Sequence, residues 1–421
     1  MNNKPITKKP LRLLTTIAVA TLFIQCKPET KPVVKTVSNE TILKAPEGFS
    51  VSEIGKDLGA VRHLTVAKNG DIYANRSVLK DGKAIIVLKD TDNDGNIDAQ
   101  QEFAEVPGTG ILATDTYLYT SSNSAIFRYP LNSAQEIIDT NSPEKLIDSL
   151  IDMGMDNAKP FTVDNDKNLY VTIGSWNDGC RDGNAGMIPC AILDSAGGIW
   201  KFKTDKLNQT FSDGSRYATG LKNAVGLDWN FKTNSLFATD HGRGGLHNFY
   251  PDVFTQKQDA ELPSETLYEI KEGDNAGWPK SYYDHFKNKR MLAPEYGGDG
   301  EQLSEDNYIN PVAAFPAHLG PNDLLFYTGD MFPDKYKNGA FIAFHNQSAE
   351  LKKGFFVAFV PFKDGKPNGD WELFLDNFAG FDLANPEGGE LKHRPCGLAQ
   401  GPDGALYVCD DFGGSIFKVT Y

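Results

Sequence analysis

Several short segments of this chain place polar side chains at spacings that could do chemistry. Asp90-Thr91-Asp92-Asn93-Asp94-Gly95-Asn96-Ile97-Asp98 sets carboxylates on alternate positions with a glycine for the sharp turn, an oxygen cage suited to calcium. The bidentate Glu such loops carry at position 12 is here Gln101. Asp90, Asp92, Asp94 and Asp98 are therefore expected to form either a structural calcium site or a plain acidic hairpin turn. Lys222-Asn223 sits inside a loop bounded by Gly220 and Gly226, and Asp240-His241-Gly242-Arg243-Gly244-Gly245 follows an apolar strand. Glycines in such places let backbone approach a ligand closely. His318 and Arg394 each stand at the entrance of a strand, as do Asp156 and Lys159 before the strand at Leu169. The same placement in several units describes a ring of polar groups around a channel. Its Lys, Arg and His suit an anionic ligand.

The elements that must position these groups are repeats. A turn rich in Asp, Asn and Gly leads into a short apolar strand six times: at Ile72-Tyr73, Tyr117-Leu118-Tyr119, Leu169-Tyr170, Leu236-Phe237, Leu324-Leu325-Phe326 and Leu406-Tyr407. A second phrase often follows, as in Ala125-Ile126-Phe127-Arg128, Gly198-Ile199-Trp200-Lys201 and Ser415-Ile416-Phe417-Lys418. Self-similarity of a strand–turn–strand unit predicts an all-β fold, a β-propeller with one unit per blade and six blades. The final phrase ends at Tyr421, so the strand expected over residues 49–54 should join the last blade and close the ring. Extra length falls around residues 179–196, 242–264, 275–311 and 350–390, where insertions should cap one face.

The 421 residues include 40 Gly and 23 Pro for turns and 26 Phe and 16 Tyr for packing between sheets. A formal net charge of -14 disfavours nucleic acid as a partner, since phosphates would be repelled. At the N-terminus Lys4, Lys8, Lys9 and Arg12 precede a mostly apolar stretch, residues 13–24, and then Cys26. This resembles a bacterial lipoprotein signal, with Gln25 where a small residue is usual. The expected organisation is a leader over residues 1–26 ending at an acylated Cys26, a polar tether over 27–44 and a propeller over 45–421. The protein would then face an extracytoplasmic space, periplasm-facing or at the cell surface, held to a bacterial membrane by lipid alone. Cleavage without lipid is the other reading of that segment.

The remaining cysteines fit an oxidising compartment. Four residues allow three pairings. The local ones are favoured: Cys180 with Cys190 across a short loop, and Cys396 with Cys409 placed symmetrically about Pro402-Asp403-Gly404. A zinc site lacks the usual spacing of ligands.

Taken together, LYVTIGS, ATGLKNAVGLDW, ATDHGRGGL, NAGWP, LAPEYGGDG, PNDLLFYTGDMFP, NGAFIAFH and HRPCGLAQGPDGALYV resemble the glucose/sorbosone dehydrogenase family, in its sorbosone-dehydrogenase-like branch. The motifs run in order over nearly all of the chain after residue 62. The resemblance implies a six-bladed propeller that binds pyrroloquinoline quinone (PQQ) and calcium and oxidises a sugar or aldose, passing electrons to an external acceptor, a cytochrome or a quinone. It implies that backbone carbonyls of Gly242 and Arg243 hold the catalytic calcium. Lys222 and Asn223 match the family's Arg-Asn pair, His241 its polar residue beside the calcium loop, and Arg394 a carboxylate-binding Arg. Lys159 and His318, from the ring of polar groups, join these as expected cofactor ligands. In register with LYVTIGS, the family's catalytic His falls on Asp156, which becomes the expected general base. Lys222 keeps the charge of the family's Arg without its fork, and Asn346-Gln347-Ser348-Ala349-Glu350 replaces a segment that carries a cation. Such departures also fit a non-catalytic cell-surface propeller that has given up the cofactor, binding carbohydrate or protein. A calcium-dependent, lactonase-like hydrolase is a third reading, with Asp156, Asn223 and Asp240 as its candidate cage.

Overall fold

The computed structural model describes residues 41–92, 94–305 and 307–421. Cys26, the leader and the tether up to residue 40 lie outside the described residues.

Six antiparallel four-stranded sheets follow one another along the chain. The first blade runs Val61–Val66, Ile72–Lys80, Lys83–Lys89, Ala99–Phe103. The second is Ile111–Ala113, Tyr117–Ser121, Ile126–Pro130 and Glu144–Asp148, with Gln209–Thr210 added in parallel at its edge. The third is Phe161–Val163, Asn168–Ile173, Gly198–Lys203, Ser215–Thr219, and the fourth Leu227–Asn230, Ser235–Asp240, Glu265–Ile270, Ala313–Phe315. The fifth is Pro321–Phe326, Ala340–Ser348, Lys353–Val360, Glu372–Leu375. The sixth combines Pro395–Gln400, Leu406–Asp410 and Ile416–Thr420 with the N-terminal strand Ser50–Gly55, which pairs antiparallel with Ile416–Thr420. This is a six-bladed β-propeller, and the first strand closes the ring as the sequence predicts.

Each blade buries both faces against its neighbours, which is why its strands read as apolar runs. In Asn168–Ile173, Leu169, Val171 and Ile173 pack with Tyr119, Ile126 and Leu146 of the second blade. Tyr170, pointing the other way, stacks on Trp229 of the fourth at 5.2 Å between ring centroids. The period-2 alternation of a strand thus serves two interfaces at once. Between the fifth and sixth blades the packing is aromatic: Phe332, Tyr336, Phe341, Phe359 and Phe374 are all buried with Phe417.

Three expectations change. The fifth repeat phrase, at Leu324, is an innermost strand; the strand equivalent to the other five phrases is Ala340–Ser348, after the turn at Asn338-Gly339. The end of the expected tether is docked. Leu43 is buried, Lys44 exchanges backbone hydrogen bonds with Asp376 at 3.0 and 2.9 Å, and Asn377 Nδ2 donates to the Ile42 carbonyl.

The third change concerns the cysteines. The structure contains the Cys180–Cys190 disulfide, but Cys396 and Cys409 are free and buried. Pro395 pairs with Asp410 and Leu398 with Val408, so a bulge falls at the cysteines. The extra residue breaks their cross-strand register and gives the two sulfurs different partners. Cys409 Sγ accepts the Gly397 N–H at 3.3 Å, whereas Cys396 Sγ accepts from Asn322 Nδ2 at 2.7 Å.

Candidate functional site at the channel mouth

The starts of five innermost strands, with the loops that precede them, gather at one end of the channel. Two polar clusters form there, joined by Pro321-Asn322. The first is built on Lys222, whose Nζ lies 3.1 Å from Asp156 Oδ2 and 2.9 Å from Asp178 Oδ1. Asn223 Nδ2 donates to Asp156 Oδ1 at 3.0 Å and approaches His241 Nδ1 at 3.5 Å. His241 Nε2 donates to the Pro321 carbonyl at 3.0 Å, which leaves Nδ1 as its acceptor. Asp240 stands behind the pair, accepting the backbone N–H of Asn223 (2.8 Å) and of Lys222 (3.2 Å).

The second cluster is cationic. Arg62 donates to Asp411 Oδ2 at 2.7 Å and to Asn322 Oδ1 at 2.9 Å, and Arg394 Nε donates to Asp411 Oδ1 at 2.7 Å. His63 Nε2 donates to the Asn322 carbonyl at 3.0 Å. His345 Nδ1 lies 3.8 Å from both Asp411 Oδ1 and Cys396 Sγ. Two guanidiniums share one carboxylate here, while in the first cluster one ammonium is shared by two carboxylates. The mouth is therefore electrically polarised, negative on the Asp156 side and positive on the Arg394 side.

Burial decides the state of the imidazoles. It pushes His241 and His63 down to about 3, helped by the positive charge of Lys222 on the first and Arg62 on the second. His345 is lowered in the same way by burial and Arg62. These rings are neutral near pH 7, contrary to the expectation that His241 would favour an anion by charge. His318 behaves differently: its contact with Asp259, at 3.7 Å, raises its proton affinity, and it is partly exposed beside the capping insertions. Asp156 is raised above the ordinary carboxyl value by burial, with Lys222 opposing.

The expected site residues Asp156, Lys222, Asn223 and His241 thus meet in one network, with Arg394 in the cluster beyond Asn322. Lys159 does not join them. It is fully buried, its ammonium donates to the Asn157 carbonyl at 2.5 Å, and burial lowers its proton affinity to about 8. The loop at Gly242 is held by Glu265, whose carboxylate accepts the Gly242 N–H at 3.0 Å and that of Gly320 at 3.4 Å. A Cβ at residue 242 would lie 2.6 Å from the Pro263 carbonyl, so glycine is required there. The Arg243 guanidinium pairs with Glu295, while its Nε and Nη1 are buried without a partner.

In the acidic loop, carboxylate oxygens of Asp90, Asp92 and Asp98 lie within 4.8 Å of one another. Asp94 is turned onto Asn96, accepting its backbone N–H at 2.8 Å, and stands outside that group.

Arg62, Asp178, Asn322 and Asp411 were not anticipated, although Asp411 carries a repeat signal. Arg62 is the second residue of its innermost strand, whereas Arg394 precedes the first residue of the last one, so the two reach Asp411 from different positions. Asp411 follows Asp410, which accepts the Arg394 N–H at 2.8 Å just as Asp240 accepts that of Asn223. Asp410-Asp411 in the sixth blade is thus the counterpart of Asp240-His241 in the fourth. Asp178 lies in an insertion and has no such counterpart.

Three insertions wall one side of the mouth. Trp278 Nε1 donates to the Asp178 carbonyl at 2.7 Å, Tyr296 Oη to that of Cys180 at 3.1 Å, and the Arg181 guanidinium lies 3.5 Å over the Phe249 ring.

A six-bladed propeller with a capped, polarised mouth is the class that fold and geometry define. The model of the TrAA12-like family matches residues 43–421, and the chain belongs to that family. An uncharacterized protein of Borreliella burgdorferi is 27% identical over 208 residues, a match spanning 48% of either chain, so about half the length of that relative. Among solved structures, the calcium structure of the Trichoderma reesei Carbohydrate-Active Enzymes Family AA12 protein has a TM-score of 0.73 at 17% identity, covering 91% of this chain and 99% of that one. The holo form of the pyranose dehydrogenase PQQ domain from Coprinopsis cinerea has a TM-score of 0.70 at 17% identity, covering 90% and 97%. The PQQ-bound aldose sugar dehydrogenase of Streptomyces coelicolor gives 0.54 at 18% identity, covering 90% and 99%.

Proposed function

We propose that this protein is a PQQ- and calcium-dependent sugar dehydrogenase, oxidising a CH–OH group of a sugar or aldose at the polarised mouth. Solved relatives of the same fold are a pyranose dehydrogenase and an aldose sugar dehydrogenase with PQQ, and one is a calcium structure. The observation that carries the reading is the charge arrangement. A tricarboxylate needs cations on one side, and a calcium ion needs carboxylates and carbonyls on the other.

The residues present fit such a group. Arg394 uses only Nε on Asp411 and is partly exposed, which leaves the rest of its fork for a carboxylate. Asn223 Oδ1 is buried without a partner. Arg394, Arg62 and Asn223 would hold the cofactor, and the carbonyls of Gly242 and Arg243 the calcium. When bound, the quinone would supply a hydride acceptor and the calcium ion a Lewis acid.

The chain's own part is proton removal and orientation. Asp156 would take the proton of the substrate hydroxyl at a carboxylate oxygen. Lys222 and Asn223 hold that carboxylate in place, and burial raises its basicity. Neutral His241 fixes Asn223 by accepting at Nδ1 while donating to Pro321.

One observation favours the non-catalytic binding propeller: Lys222, in the family's Arg position, is already neutralised by two carboxylates. Purified protein incubated with PQQ and calcium decides between them. Stoichiometric uptake, read by cofactor absorbance, with reduction of a dye acceptor by aldoses, supports the dehydrogenase. Absence of uptake at micromolar cofactor assigns the chain to the binding class.

A further inference from the structure

Asp178 lies on an inserted loop, yet few residues at the mouth are held from so many sides. Its carbonyl accepts Trp278 Nε1 at 2.7 Å. The preceding Asn177 closes a turn by accepting the N–H groups of Gly179 and Arg181, both at 3.2 Å. Ser175 Oγ donates to the Asn177 carbonyl at 2.6 Å, and the Cys180–Cys190 disulfide clips the loop two residues further on. The Cys180 carbonyl in turn accepts from Tyr296 Oη. All this rigidity delivers one carboxylate oxygen, Asp178 Oδ1, to 2.9 Å from Lys222 Nζ, opposite Asp156.

We propose that Asp178 is a positioning residue for the proton acceptor: it shares the Lys222 ammonium with Asp156 and so limits how much of that charge Asp156 feels. The proposal rests on the reading of Asp156 as the base. A base paired with an ammonium of its own would be held ionised and weak. Divided between two carboxylates, the same ammonium leaves Asp156 oriented and more basic.

The other groups around Asp156 are consistent with this division. Asp240, whose carboxyl burial raises to about 7, accepts the backbone N–H groups of Lys222 and Asn223, Asn223 contributes a neutral donor, and His241 behind it is neutral. Lys159 directs its ammonium to the Asn157 carbonyl. Gly174 packs against the Asp156 carbonyl, where a Cβ would come within 2.3 Å, so the backbone at Asp156 sits close against the third blade only because residue 174 is glycine. Of the two carboxylates, Asp178 is the more exposed, at 31% against 15% for the side chains, which suits it to tuning and Asp156 to acceptance. Among the described residues, Lys222 is the one cation paired with the Asp156 carboxylate.

The test is a pH titration of the full chain labelled with ¹³C at aspartate carboxyls, without added cofactor. The Asp156 signal is assigned by its loss in Asp156→Asn. In Asp178→Asn the Asp156 midpoint should fall by about one pH unit or more, the scale for handing an opposite charge to a single partner. In Asp178→Glu it should return to within a few tenths of the parent value. The acid limb of kcat/KM for the PQQ-loaded enzyme should move the same way. Thermal unfolding of both variants separates this from loss of the fold, which a merely structural role would show without a directed shift. A midpoint unchanged within 0.2 unit, or one that rises, overturns the proposal. If the midpoint falls but Asp156→Asn keeps full turnover, the coupling stands and the base assignment fails.

Discussion

Asn223 Nδ2 donates to Asp156 Oδ1 at 3.0 Å, tying the loop before the fourth blade to the entrance of the third. The bond orients a buried carboxylate without neutralising it, since an amide brings no charge. Replacing Asp156 by Asn should leave PQQ uptake nearly intact and lower turnover by about two decades or more, the usual scale for a general base. Stopped-flow reduction of the bound cofactor by an aldose measures it. Unchanged turnover would return Asp156 to a turn residue, a role its left-handed backbone (φ 51) would also fit.

Arg394 supplies a contrasting prediction. Its side chain is partly exposed and its link to Asp411 is duplicated by Arg62, so removing it should hardly disturb the fold. Arg394→Ala should weaken PQQ binding at least about tenfold, as expected for loss of a charge-assisted pair to a carboxylate. Arg394→Lys should recover only part of it, since the fork is lost and the charge kept. Equilibrium titration of cofactor absorbance gives both numbers, and equal affinity in all three proteins would remove Arg394 from the site.

The fold was readable because a blade interface demands the same thing at every strand. Leu169, Val171 and Ile173 face one neighbour and Tyr170 the other, so each blade repeats an apolar run after a polar turn. The phrase misled once, at Leu324, where an innermost strand is as apolar as a second strand and follows an equally polar turn. Of the mouth, Asp156, Lys222, Asn223, His241 and Arg394 were legible through their register against such strands. Asp178 was not, because it reaches Lys222 from an insertion whose path depends on Trp278, a hundred residues away in sequence. The Cys396–Cys409 pairing failed for a local reason: hairpin symmetry assumes an unbroken ladder, and one bulge shifts it.

That bulge makes a chemical prediction. Thiol labelling under native, non-reducing conditions should leave Cys396 and Cys409 unreacted, since both are buried and burial pushes each thiol well above its ordinary value. Labelling after unfolding should reach both, and peptide mapping should find Cys180 linked to Cys190. The double variant Cys180→Ser/Cys190→Ser should lose about 2–4 kcal/mol of stability, the usual range for a native disulfide. A mapped Cys396–Cys409 linkage would contradict the structure.

Below the mouth, Asp228 and Asp323 link innermost strands, with His63 Nδ1 lying 4.0 Å from Asp323 Oδ2. Asp228 Oδ2 accepts the Phe326 N–H and Asp323 Oδ2 the Leu398 N–H, both at 2.8 Å, each reaching into the next blade. Burial raises both carboxyls from 3.8 to about 7. A carboxyl whose folded value is raised binds its proton more tightly folded than unfolded. Its contribution is therefore complete below about pH 4 and is lost as pH rises through about 7. Thermal midpoints of the parent protein should decline between pH 5 and 8 through these two groups together with Asp240 and Glu265, which burial also raises to about 7. Asp228→Asn can still accept the Phe326 N–H and carries no charge, so its midpoint should fall less steeply over that interval and exceed the parent's at pH 8. Parallel curves for parent and variant from pH 5 to 8 would show that Asp228 is ionised throughout, with the backbone N–H groups of Phe326 and Trp229 outweighing burial.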